Sequence, residues 1–346
     1  MKKIVGILAA AAVLATSVFA ADVSAGVRLE GSLFNWDGKN VSALNLKHNN
    51  QYYHAPIAFS VSGDKAGGQL KLTDQARGNY SWNAALAKMD DATADAEVKS
   101  SAWQIWIKPL DMLKLTFGCY KNTLNQEQIG WWRSQSSIGD DGGAKGNWVA
   151  TLTPADGVSI DLLAANQFGK AWFNGADNSL AEFGLIFKYS ADFGTIGALF
   201  DANDTFKDLK FGASFAGSAD ALSYFVNVLG FYKTTFNKVR AELYAAYSQD
   251  GLGLKFFVPA DINVNNTNDV MAMLDIGAVF RLDYAIDNGT LFVEIEDGDF
   301  LKNDFGMSIY PGIKTNVGAC AIELGVKLGA SSNFTVDVPV SFQVAF

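Results

Sequence analysis

The strongest constraint on this chain lies at its end. Phe334, Val336, Val338, Val340, Phe342, Val344 and Phe346 occupy every second position, with Thr335, Asp337, Pro339, Ser341, Gln343 and Ala345 between them. Successive side chains of a β-strand point to opposite faces, so as a strand this segment has one wholly apolar face and one mostly polar face. Residues 334–346 are longer than an ordinary globular strand. They suit a tilted crossing of a bilayer, for which about 9–11 residues suffice.

The alternation recurs along the chain. Val23, Ala25, Val27, Leu29 and Leu33 alternate with Ser24, Arg28, Glu30 and Ser32, and Phe183, Leu185, Phe187 and Tyr189 alternate with Glu182, Gly184 and Lys188. Val239, Ala241, Leu243, Ala245 and Tyr247 alternate with Lys238, Arg240 and Glu242, and Ala278, Phe280, Leu282 and Tyr284 alternate with Gly277, Arg281 and Asp283. In each case the charges sit on one face. A soluble sandwich also alternates, but in shorter strands and with its polar face outward.

The N-terminus gives the compartment. Lys2 and Lys3 precede an apolar run from Ile4 to Leu14 and small residues ending in Val18-Phe19-Ala20, the pattern of a secretory signal peptide cut after Ala20. Ala21, not Cys, follows the cut, which argues against a lipoprotein. Beyond it no window offers the ~20 uninterrupted apolar residues of a helical span. The expected domains are therefore a signal peptide, 1–20, and a transmembrane β-barrel, 21–346. Composition removes other classes. With 27 Lys+Arg against 36 Asp+Glu the net charge is −9, and losing Lys2 and Lys3 with the signal makes it −11. Such a balance argues against a nucleic-acid partner, which demands basic patches. Cys119 and Cys320 are the only cysteines, too few for a disulfide framework.

Turns alternate between short and long. Short ones include Ser218-Ala219-Asp220, Ser248-Gln249-Asp250-Gly251 and Asp287-Asn288-Gly289, and long polar stretches cover 37–51, 75–99, 121–146 and 167–178. Short periplasmic turns and long extracellular loops mark an all-β, antiparallel, up-and-down membrane barrel. The expected strands are 22–36, 52–62, 68–74, 100–108, 112–120, 147–153, 158–166, 179–190, 195–201, 207–216, 221–230, 237–247, 252–258, 269–284, 290–296, 305–313, 317–328 and 334–346. That parse gives eighteen strands, with sixteen a close alternative. Pro56, Pro311 and Pro339 fall inside these strands, where a missing donor calls for local bulges.

The architecture resembles that of bacterial outer-membrane porins, single-chain antiparallel barrels made with a signal peptide. Phe346 behind its alternating strand, with Phe342 and Val344, looks like the C-terminal signal read by the barrel-assembly machinery. General trimeric porins carry a Pro-Glu-Phe-Gly-Gly-Asp-type motif in the third loop, where this chain has Asn125-Gln126-Glu127-Gln128-Ile129-Gly130. The subfamily therefore stays open, a spirochaete-type porin being one candidate. The resemblance implies integration in outer-membrane lipid, no cofactor, no bound metal, and a homo-oligomer such as a trimer as one arrangement.

A barrel of sixteen to eighteen strands leaves an aqueous channel, and charges on its wall are tolerable only against water or each other. The expected pore-lining residues are Arg28, Glu30, Lys114, Arg240, Glu242, Arg281 and Asp283 on the wall, with Glu127, Arg133, Asp140 and Asp141 in a constricting third loop at 121–146. Trp131 and Trp132 are odd in a free polar loop, which favours folding into the lumen over a place in an aromatic girdle. His48 and His54 are the only histidines, and neither sits in a catalytic motif, so no enzymatic reading is supported. The expected function is passive diffusion of small hydrophilic solutes with mild cation preference. The alternatives are a substrate-selective outer-membrane channel and a surface adhesin or structural barrel that binds through its long loops.

Overall fold

The computed structural model describes residues 20–45, 57–76, 80–83, 88–91, 96–119, 127–129, 133–135, 145–167, 182–203, 208–233, 235–264, 273–298 and 306–345. The signal segment before Ala20 lies outside them, as do Pro56, Trp131, Trp132, Asp140, Asp141 and Phe346.

The first half contains β1 (Ala20–Trp36), β2 (Val41–Asn45), β3 (Ile57–Ser62), β4 (Ala66–Ala76), β5 (Tyr80–Asn83), β6 (Lys88–Asp91), β7 (Ala96–Leu110), β8 (Leu113–Cys119), β9 (Glu127–Ile129), β10 (Arg133–Gln135), β11 (Lys145–Leu152) and β12 (Val158–Gln167). The second half contains β13 (Glu182–Ala191), β14 (Gly194–Asn203), β15 (Asp208–Ala219), β16 (Leu222–Lys233), β17 (Thr235–Gln249), β18 (Leu252–Asn263), β19 (Leu274–Ile276), β20 (Ala278–Ile286), β21 (Gly289–Asp297), β22 (Met307–Val317), β23 (Cys320–Gly325), β24 (Lys327–Ala330) and β25 (Phe334–Ala345). All but β9 and β10 belong to one 23-stranded antiparallel sheet. It runs by sequential neighbours from β1 through β3 and β4 onward, and β25 pairs back onto β1, Val344 opposite Val27 and Phe342 opposite Leu29. The sheet is therefore a closed barrel, which leaves no edge to aggregate.

Alternation becomes two faces. On β16 the odd residues Phe225, Asn227 and Leu229 are buried while Val226 and Val228 are exposed; on β20 Val279 and Arg281 are buried while Phe280 is exposed. The exposed set continues around the wall through Ile105, Phe117, Phe187, Ile196, Phe211, Leu243, Phe256, Leu291, Leu324 and Phe342. A belt of large apolar side chains on the convex face has no favourable place in water and matches a lipid-facing surface. The concave face carries the charges.

Two ladder breaks trace to proline. Pro259 of β18 stands opposite Gly277, the gap between β19 and β20, and Pro311 of β22 stands opposite Val326, the gap between β23 and β24. Gly277 and Val326 still donate to the proline carbonyls at 3.0 and 2.9 Å, but proline returns no N–H. The register is the same on both sides of each gap, so the bulge expected at Pro311 is replaced by one omitted hydrogen bond. At Pro339 the ladder with β1 does shift register, between Ser32 and Asn35.

The hairpin turns follow the residues supplied for them. Asp250 and Gly251 both have positive φ, 50° and 81°, as a two-residue type I′ connection demands. The long stretches differ from expectation, because polar sequence there still forms strand. β2 lies within 37–51 and pairs with β1, the β5–β6 hairpin lies within 75–99 and touches β2 at Asn45–Ser81, and the β9–β10 hairpin lies within 121–146.

Candidate functional site: the inner wall of the barrel

Each inward side chain is placed by the parity of its strand, and neighbouring strands stack those positions into rows. One row crosses four strands: Phe225, Tyr244, Phe257 and Val279 are register partners in turn and pack as one buried cluster, with the Phe225 and Tyr244 rings stacked at 4.9 Å. A second cluster joins Ile186, Leu199 and Leu229. The concave face is therefore not uniformly polar.

Between these rows run ion pairs. Asp261 accepts from Arg240 Nε and Nη2 at 2.7 and 2.8 Å and from Lys238 Nζ at 2.8 Å, a two-pronged guanidinium contact backed by a second cation. Glu242 accepts from Asn227 Nδ2 at 3.2 Å. Arg281 gives Nε to Asp283 at 3.0 Å and Nη1 to Glu294 at 3.2 Å, while its guanidinium lies 4.2 Å from the centre of the Phe292 ring. Phe292 meets Tyr310 edge to face at 4.9 Å. Lys314 pairs with Glu323 at 3.0 Å, Lys327 with Glu296 at 3.6 Å and Lys210 with Asp201 at 3.8 Å. Arg281 and Glu294 are each only 2% exposed, so the charges pack into the wall rather than standing free in a wide water column. Such a pair is tolerable because each charge has a partner, and Asp283 gives the guanidinium a second one.

The wall from β4 to β12 is different. Gln104 Nε2 donates to Gln69 Oε1 at 3.2 Å, and Thr151 Oγ1 donates to Asp161 Oδ1 at 2.6 Å. Trp106 lies against Gly67, where a Cβ would sit 2.6 Å from the ring. Lys108 and Lys114 reach its ring at 5.6 and 5.1 Å. Lys65 and Asp111 pair on the surface at the short-turn end, and the Lys65 ammonium holds the Asp111 carboxyl below the usual carboxylate range.

Of the residues expected to line a pore, Lys114, Arg240, Glu242, Arg281 and Asp283 occupy the concave face, four of them in the paired region. Arg28 and Glu30 stand in register with Gln343 and Ser341. Glu127 and Arg133 belong to the β9–β10 hairpin, opposite Gln135 and Ile129, a sheet separate from the wall. Asp140 and Asp141 lie outside the described residues. Phe342 of the expected assembly signal is on the exposed face and Val344 pairs with Cys320 and Val27. Lys238 was already on the Arg240 face by alternation, whereas Asp201, Asp261 and Lys314 were not among the expected wall residues. Asp201 closes the expected strand 195–201 on its inward parity, and extending the parity of β18 and β22 by a few residues would have found Asp261 and Lys314. No metal-ligand cluster occurs among the described residues.

No protein-family model matches the chain, and no curated protein is similar to it. Among solved structures, Pseudomonas aeruginosa OccK2 (OpdF) superposes with a TM-score of 0.59 at 9% identity, covering 94% of this chain and 98% of its own. Pseudomonas aeruginosa OccK11 (OpdR) gives 0.57 at 12% identity, covering 94% and 95%. A mutant of the Rh. blastica porin gives 0.51 at 12% identity, covering 94% and 100%. The likeness spans almost the whole of each chain and establishes the porin-type barrel fold.

Proposed function

We propose that this chain is an outer-membrane channel through which small hydrophilic solutes diffuse, with a mild preference for cations. The observation that carries the reading is the division of one closed sheet into two chemistries. The convex face is apolar, from Ile105 to Phe342, and the concave face is charged, from Lys114 through Arg281 to Asp337. Charges on the lipid side would each cost about 2–4 kcal/mol at mid-membrane for Lys or Arg, and they are on the other side. The net charge of −9, −11 without Lys2 and Lys3, supports the cation preference. Size supports a lumen. Among the described residues the sheet has 23 segments, and grouping β2–β3, β19–β20 and β23–β24 with the β5–β6 hairpin set aside is compatible with the expected eighteen strands, a size that leaves water inside.

The N-terminal segment and Phe346 fit the same reading, as export signal and assembly signal for insertion. Phe346→Asp is expected to block insertion while export continues. A selective channel is the second reading, favoured by the dense packing of Arg281, Glu294 and Asp261 on one side of the lumen. Swelling of liposomes carrying the purified barrel, in sugars and amino acids of graded size, tests both. Rates that fall smoothly with size indicate general diffusion, a solute that enters far faster than its size allows indicates selection, and no swelling removes the channel.

A further inference from the structure

We propose that the short-turn end of the inner wall holds a binding subsite for a small zwitterion, a solute bearing a carboxylate and a protonated amine, between Arg281 and Glu323. The proposal relies on the channel reading for the solute's route and on the wall itself for its recognition. A cavity of about 470 Å³ opens there, with Lys255, Arg281, Asp283, Lys314, Glu323 and Ser341 in its lining. Gly289 and Thr290, just past the Asp287–Asn288 turn, also border it and fix its place at the barrel end.

Two buried side chains in that lining are incompletely satisfied, and they are of opposite kind. Arg281 uses Nε on Asp283 and Nη1 on Glu294, and its Nη2 meets no partner among the described residues. Glu323 uses Oε2 on Lys314 at 3.0 Å, and its Oε1 meets none. Folded proteins keep few such orphans, because each forgoes a hydrogen bond that water gave in the unfolded chain. A donor left over on a cation calls for an anionic acceptor, and an acceptor left over on an anion calls for a cationic donor. A simple anion would face Asp283 and Glu323, and a simple cation would face Lys255, Arg281 and Lys314. A molecule with both charges answers both orphans after a small side-chain adjustment, and the volume leaves room for a side chain of its own.

The test is titration calorimetry of the full chain, folded in detergent, with L-alanine, propionate and glycine betaine as probes, alongside single-channel recording. L-Alanine is expected to bind saturably. Propionate lacks the amine and glycine betaine has no N–H to give Glu323, so each is expected to bind about tenfold or more weakly. Glu323→Gln and Arg281→Lys are expected to weaken L-alanine by a similar factor, with barrel folding checked by heat-modifiable migration. Should Arg281→Lys not fold, the wild-type probe series and Glu323→Gln decide. Absence of saturable L-alanine binding, propionate binding as tightly as L-alanine, or indifference to Glu323→Gln overturns the proposal, the cavity then holding only water. Binding without conductance would keep the subsite and remove the channel, and conductance without binding would do the reverse.

Discussion

The two sides of the barrel solve the same problem with different chemistry. From β4 to β12 the described side chains of the concave face meet through amide, hydroxyl and ring contacts: an amide pair at Gln69 and Gln104, a hydroxyl on Asp161, and an indole at Trp106 that carries Lys108 and Lys114 on its π-face. From β14 to β25 it is a lattice of opposite charges between aromatic rows, and the partners reach across strands, Arg240 to Asp261 and Arg281 to Glu294. Both sides face the same lumen, so burial in the membrane does not account for the difference. The contrast shows that polar satisfaction of the wall is a separate requirement from solvation by the channel. Where opposite charges pair across strands, as Arg281 does with Glu294, they bury one another.

Removing one charge from the lattice should have the largest effect. Arg281→Ala strands Asp283 and Glu294 and uncovers Phe292, so it is expected to cost about 3–5 kcal/mol in urea unfolding of the detergent-solubilised barrel. Gln104→Ala on the β4–β12 side removes one amide hydrogen bond and should cost roughly 1 kcal/mol. Equal costs would break the comparison. Next comes Arg240→Lys, which keeps the charge but loses the two-pronged contact to Asp261. A loss of about 1 kcal/mol is expected, with Lys238 retaining part of the pairing.

Permeation separates the walls in the opposite sense. Lys108→Met with Lys114→Met removes two cations held over the Trp106 ring while Lys65 keeps Asp111 paired, and the expected result is a stable barrel with stronger cation preference. The shift in reversal potential should be clearest at 0.01 M salt, where the screening length is about 30 Å. The smallest effect belongs to neither wall. Asp37, in the β1–β2 turn, accepts from the N–H groups of Lys39 and Asn40 and from the Asn40 side chain, which lowers its pKa from 3.8 to about 2. A lowered folded-state pKa means that its contribution is complete above pH 3.8 and is lost as pH falls toward 2. NMR of labelled aspartate should show that midpoint, and Asn40→Ala should move it up.

The charged wall was legible in the sequence where charges alternate strictly with apolar residues. Arg240 and Glu242 could be assigned to one face of β17 without coordinates, and Arg281 and Asp283 to one face of β20. Legibility failed where a strand outlasts its pattern. Pro259 reads as a stop after Val258, yet β18 continues to Asn263 and brings in Asp261; the expected strand ended at Ile313, yet β22 runs to Val317 and brings in Lys314. The pairings themselves, Arg281 with Glu294 and Lys314 with Glu323, depend on register between strands, which alternation within one strand does not encode. The small hairpins in the long stretches were invisible for the converse reason, since Tyr80–Asn83 and Lys88–Asp91 are four residues each, too short for the alternation of Tyr80 and Trp82 to stand out from a polar stretch.

The central claim is that this barrel conducts through a lumen lined by that wall, and single-channel recording in planar bilayers under a salt gradient tests it most directly. A conducting barrel gives discrete, reproducible current steps and a reversal potential displaced toward the cation. A fully folded barrel that inserts and yields no steps, or steps with a reversal potential displaced toward the anion, would contradict it.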